Sequence, residues 1–262
     1  MGCAASNGTN FNEEEFFQSL PSESSLEVLE TTRNSGVFKQ RLELLKSITT
    51  DISNKTARDL TNIPKKSILI ICETLNPKTQ TDAVCSVNDS ILTAKCAEAF
   101  GFSTFTLINP QITTMLTAIR IFLSKVTDNL MIFYNGFHKA SSENPNKSFL
   151  TSADQLIQMK IFIESFHAYK LPSSNVSFFV DVDHTDIGQI TVPNNLPPKC
   201  AIFTPTSKAF LSYFIWKALK VNKSISIKDL IDTINQQLEP LGGKIQDLCG
   251  SDINRESPFI NS

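Results

Sequence analysis

Asp181, Asp183, His184 and Asp186 follow an apolar run, Val176-Ser-Phe-Phe-Val180, in the stretch that ends at Gly188. A buried strand that turns polar at its carboxyl end is how open α/β sheets present a site. Asp181 and Asp183 alternate with Val180 and Val182, so a strand that continues puts both carboxylates on one face. Two acids and an imidazole at such a place suit acid–base catalysis or the holding of a metal ion.

The rest of the chain must position that strand. Residues 67–72, 103–108, 129–134, 176–182 and 200–204 read as strands, nearly all apolar. Helical spacing covers residues 87–100, stopping at Gly101, and residues 111–126. Ser152-Ala-Asp-Gln155 resembles a capping box that opens a helix to about Tyr169, and further helices are expected near 207–220 and 227–238. Strands alternating with helices, apolar on both faces, imply an α/β fold with a mostly parallel sheet covered on both sides. Ahead of it, Phe38, Leu42, Leu45, Ile48 and Ile52 recur at helical spacing, and residues 56–66 read as a linker. The expected organisation is a flexible tether over 1–36, an amphipathic helix and linker over 37–64, and one domain over 65–262.

Composition excludes several classes. A net charge of −2 gives no reason to expect nucleic acid as a partner. The six cysteines form no CxxC pair, and none of the three histidines stands at zinc spacing to one, so neither a disulfide framework nor a structural zinc site is expected. No apolar run approaches the roughly 20 residues of a membrane span, and no secretory signal is expected. Met1-Gly-Cys-Ala-Ala-Ser6 does match the pattern for myristoylation of Gly2, with Cys3 beside it as a palmitate acceptor. One myristoyl chain binds membranes marginally, so anchoring needs a second signal. Residues 1–32 hold six glutamates and no Lys or Arg, which leaves Cys3 as that signal. The expected location is the cytoplasmic face of a membrane.

Three segments together resemble the caspase/metacaspase family of cysteine peptidases, metacaspases in particular. Ser86-Val-Asn-Asp-Ser90, before a helix ending Ala-Phe-Gly-Phe102, is similar to the family's C-x-N-D-A block and its F-G-F. Leu130-Met-Ile-Phe-Tyr-Asn-Gly-Phe-His138 is similar to the strand ending Y-S-G-H-G, which carries the catalytic histidine. Val180-Asp-Val-Asp-His-Thr185 is similar to the strand ending F-D-S-C-H-S-G, which carries the nucleophilic cysteine. Glu256-Ser-Pro-Phe-Ile-Asn-Ser262 is similar to the family's terminal Q-x-P-x-x-S-S. The resemblance spans residues 65–262 and implies a three-layer sandwich around a sheet of about six strands.

The departures decide the expected chemistry. Aligning Tyr134-Asn-Gly136 with Y-S-G puts Phe137 at the base, and aligning Asp181 with the family aspartate puts Asp183 at the nucleophile. Peptide cleavage in this family needs a thiolate and an imidazole. A phenyl ring transfers no proton, and a carboxylate is a poor nucleophile toward an amide. His138 is one residue late, which on a strand means the opposite face; it and His184 are read as remnants. The resemblance further implies that Asp89 and Asp181 attract a basic side chain of a peptide or protein partner, and it leaves calcium open as a cation, with no other cofactor expected. The leading expectation is an inactive, membrane-tethered pseudopeptidase acting as regulator, scaffold or binder of basic peptides. One alternative is an active cysteine endopeptidase with rewired residues, for which Cys85 and Cys200 are the thiols to watch. Another is an α/β domain in which Asp181 and Asp183 hold a metal, although Cys72-Glu-Thr-Leu-Asn-Pro77 supplies no glycine-rich phosphate loop.

Overall fold

Residues 68–72, 130–134 and 176–180 are buried at every position, and strands with no exposed face need a layer on each side. A computed structural model describes residues 34–76, 80–140, 148–151, 156–167, 175–183, 196–205 and 211–260, and supplies those layers. In chain order the elements are α1 (Phe38–Ile48), β1 (Thr50–Asp51), β2 (Lys66–Cys72), α2 (Val84–Ala99), β3 (Ser103–Ile108) and α3 (Ile112–Lys125). There follow β4 (Asn129–Ala140), β5 (Ser148–Thr151), β6 (Leu156–Gln158), α4 (Met159–His167), β7 (Asn175–Asp183) and β8 (Cys200–Pro205). The chain closes with α5 (Leu211–Val221), α6 (Ile227–Leu238), a 3-10 turn (Glu239–Leu241) and β9 (Ile245–Cys249).

The main sheet runs β1-β3-β2-β4-β7-β8-β9, with every neighbour parallel except β9, which pairs antiparallel with β8. Strand alternation sorts the core. Ile68, Ile70, Met131, Phe133, Phe179 and Phe203 face α1, α2, α5 and α6, while Leu69, Ile71, Leu130, Ile132, Phe178 and Val180 face α3 and α4. Phe133, Phe179 and Phe203 lie in register on three adjacent strands and stack at 4.5 and 4.7 Å between centroids, tying the middle of the sheet together. A three-layer α/β sandwich around a mostly parallel sheet is therefore the observed architecture.

Several boundaries differ from the sequence reading. Leu156–Gln158 is a strand paired with β5, so the helix begins at Met159 rather than at a capping box; Ile157 lies buried opposite Leu150, and that pairing outweighs local helix propensity. Residues 152–155 themselves lie outside the described residues. The second helix starts at Val84, three residues early, because Ser86, Asn88, Asp89 and Ser90 are polar yet buried and so hide its periodicity. Asp89 therefore sits inside α2. Residues 37–64 are part of the domain. Leu45 of α1 is fully buried, Thr50–Asp51 pairs with β3, and Ile52 and Leu60 enter the core facing α3.

Candidate functional site

The chain leaves β2 for β3 on one flank and returns to β4 on the other, so the sheet's topological switch point lies between the carboxyl ends of β2 and β4. Cys72 ends β2 in register with Asn135, and the Glu73 N–H donates to the Asn135 carbonyl at 2.9 Å, prolonging the ladder. On the other side of β4, Asn135 pairs with Asp181, Gly136 with Val182 and Phe137 with Asp183. The two positions that the family resemblance assigns to base and nucleophile are thus neighbours on adjacent parallel strands, about 4.8 Å apart in the hydrogen-bonding direction.

A local brace holds the end of β4. The Tyr134 hydroxyl donates to the Phe137 carbonyl at 3.0 Å and accepts from the Phe137 N–H at 3.4 Å. This return along the same strand needs a residue without a side chain between them. A Cβ on Gly136 would stand 2.8 Å from Tyr134 Oη and 2.9 Å from Glu73 Cγ. Phe137 itself is buried against Ala83 and Cys85, the residues that open α2. The start of α2 at Val84 puts Cys85 in its first turn and in the same buried cluster as Phe137.

Asp181 is fully buried and accepts from the backbone N–H groups of Leu211, at 3.3 Å, and Ser212, at 2.7 Å. Its carboxylate thus lies at the N-terminus of α5, where amides and the helix dipole favour negative charge. Asn135 links the neighbouring helices. Its Nδ2 donates to Ser90 Oγ at 2.9 Å, Ser90 Oγ donates to the Ser86 carbonyl at 2.7 Å, and Ser212 Oγ lies 3.5 Å from Asn135 Oδ1. The buried Cys72 thiol is pushed up first by desolvation and then by the charges of Glu73, Cys85 and Asp89, against a Ser90 hydrogen bond. Glu73, Cys85 and Asp89 each lie near enough to Cys72 to act on its thiol, and Asp89 is almost completely buried. Glu73 and Ser212 carried no signal in the sequence: Glu73 arrives with the end of β2 and Ser212 with the packing of α5, while Ser90 stood out only as the last residue of the Ser86–Ser90 block.

His138 is buried, and its backbone lies beyond the ladder with β7, paired instead with Leu150 of β5. Cys200 opens β8 in register with Val176, seven residues from the level of Asp183 and so roughly 23 Å along the strand; burial pushes its thiol up to about 12. His184, Gly2 and Cys3 lie outside the described residues. Among the described residues no group of three or more His, Cys, Asp or Glu is placed to hold a metal ion, and no helix is long and apolar enough to cross a membrane.

No protein-family model matches the chain, and no curated protein matches it either. Solved structures do, in 131 chains. One is the crystal structure of the Drosophila initiator caspase Dronc, similar over 75% of this chain and 85% of that one with a TM-score of 0.56 and 12% sequence identity. At that identity the likeness speaks for architecture, and it agrees with the strand order and layers above: the chain has a caspase-like fold.

Proposed function

We propose that this chain is a caspase-fold domain without peptidase activity, held at a membrane by acyl groups on Gly2 and Cys3 and acting as a regulator or peptide-binding module. The observation that carries the reading is the register of Phe137 with Asp183 at the mouth of the sheet. Where a thiol and an imidazole would have to meet, the chain offers a carboxylate and a phenyl ring, and the ring is packed into the start of α2. Acids around the switch point favour a partner with a basic side chain. Asp89 and Asp181 are the two carboxylates this reading assigns to that attraction.

The test is turnover of fluorogenic peptides with Arg or Lys before the scissile bond, by the purified full chain, with and without calcium. The expected rate equals that of the Asp183→Ala variant; cleavage abolished by Asp183→Ala would overturn the proposal. A second reading is a peptidase rewired around the Cys85 thiol, which opens α2 beside the switch point. Turnover lost on Cys85→Ser, and on alkylation, would establish it instead. The membrane tether is tested separately: Cys3→Ser and Gly2→Ala are each expected to release the chain into the soluble fraction.

A further inference from the structure

Between α3 and the loop that follows β1 lies a cavity of about 190 Å3 that the site above does not use. Its floor is apolar, made by Ile52, Leu60, Leu107 and Ala118, all buried. Lys55, Thr113, Thr114 and Thr117 bring polar groups to its lining, and all but Thr114 are exposed. Leu107 of β3 stands in register with Ile71 of β2, which in turn pairs with Tyr134 of β4. The cavity therefore lies on the α3–α4 face of the sheet, two strands from β4, whereas Phe137 packs against the start of α2.

The loop wall is fixed by its own hydrogen bonds. Ser53 Oγ accepts from the Ile108 N–H at 2.8 Å and donates to Asp51 Oδ1 at 2.6 Å, which ties the loop to β3. The Lys55 N–H closes a turn onto the Ile52 carbonyl at 3.0 Å. Asp59 Oδ2 holds the next turn, accepting from the Thr56 N–H at 2.7 Å and the Thr56 hydroxyl at 2.8 Å. Those two bonds lead the causes that lower the Asp59 pKa, and the Lys55 charge adds least. The acid thus serves the loop, and the Lys55 ammonium is left for the cavity. The helix wall departs from local preference. Threonines at 113, 114 and 117 share one side of α3, where Ala or a straight-chain residue would hold a helix better by roughly half a kcal/mol each. Residues that contradict the propensity of their element mark functional places. Here each adds a methyl group that extends the apolar floor and a hydroxyl that can donate at its edge. One ammonium and three hydroxyls beside such a floor suit a single negative charge on a short apolar body. A phosphomonoester, with nearly two charges, would leave one without a partner. Size agrees, since an apolar cavity of about 150 Å3 takes a benzene-sized body.

We propose that this cavity binds an apolar monocarboxylate, free or as the C-terminal residue of a peptide, with the carboxylate at Lys55 and the threonine hydroxyls and the hydrocarbon on the Ile52, Leu60 and Leu107 floor. The experiment follows backbone amide chemical shifts of residues 52–60 and 112–121 in the isotope-labelled full chain. The free probe is isocaproate, with isocaproamide as its uncharged control; the peptide probe is acetyl-Gly-Leu with a free carboxylate, with its C-terminal amide as control. Saturable shifts confined to those two segments are expected with a carboxylate probe, weaker at high salt, and none with the amides. Affinity should fall on the order of tenfold in Lys55→Gln and survive in Lys55→Arg. Thr117→Val, which keeps the shape and removes the hydroxyl, should weaken binding about threefold or more. Lys55 and Thr117 are exposed, so these variants are expected to keep the wild-type thermal midpoint. Saturation by isocaproate assigns a free acid, and saturation by the peptide alone assigns a peptide terminus. Shifts with neither acid, equal binding of the amides, or equal binding by Lys55→Gln overturns the proposal.

Discussion

Asp181 and Gly136 show how single residues hold the mouth of this sheet. The Asp181 carboxylate satisfies two buried amides, those of Leu211 and Ser212. Asp181→Ala should therefore cost about 2–4 kcal/mol, the sum of lost charge-assisted bonds and stranded N–H groups, measured by urea denaturation. A change within about 0.5 kcal/mol would mean that the acid serves a ligand and not the fold. Gly136→Ala is expected to cost about 1–3 kcal/mol by overpacking, because the Tyr134 ring that meets the new methyl is pinned by its bonds to Phe137. Wild-type stability in that variant would show that the brace is dispensable. Neither role was legible in the sequence. Asp181 there is one acid in a row of acids, and its partners arrive from 30 residues downstream.

Among the elements, α1 shows how a segment outside the apparent domain becomes part of it. Its apolar stripe was legible from spacing alone, but the layer it joins was not. Leu45, fully buried in the core shared with α2, is the residue on which docking depends. Leu45→Ala should destabilise the whole domain by about 2–4 kcal/mol in a single cooperative transition. Loss of α1 helicity with an unchanged domain midpoint would instead make α1 an appendage. The five long parallel strands could be read directly because they are apolar on both faces. The hairpin β5–β6 and the edge strands β1 and β9 could not, since segments of two to five residues carry too little periodicity and exist only through their partners.

For the molecule as a whole, burial of weak acids sets the response to alkali. Cys200 is raised from 9.0 to about 12 and Tyr213 from 10.0 to about 12, both chiefly by desolvation, and Cys72 is raised in the same direction. The folded state therefore holds its protons at a pH where the unfolded chain has lost them, and stability falls as pH rises. Thermal midpoints should be level to about pH 8 and decline progressively from about pH 9, less steeply in Cys200→Ala; a level profile to pH 11 would contradict the burial of these groups. Taken by itself, the sequence determined the layered α/β class, because unbroken apolar strands have only one way to escape water. It also put Phe137 and Asp183 on the β4 and β7 segments. Only the tertiary structure decided that these two positions are neighbours, that Cys85 packs on the ring, and that Asp181 caps a helix. Those facts depend on strand register and on the approach of α2 and α5, contacts between residues far apart in the chain that no local pattern encodes.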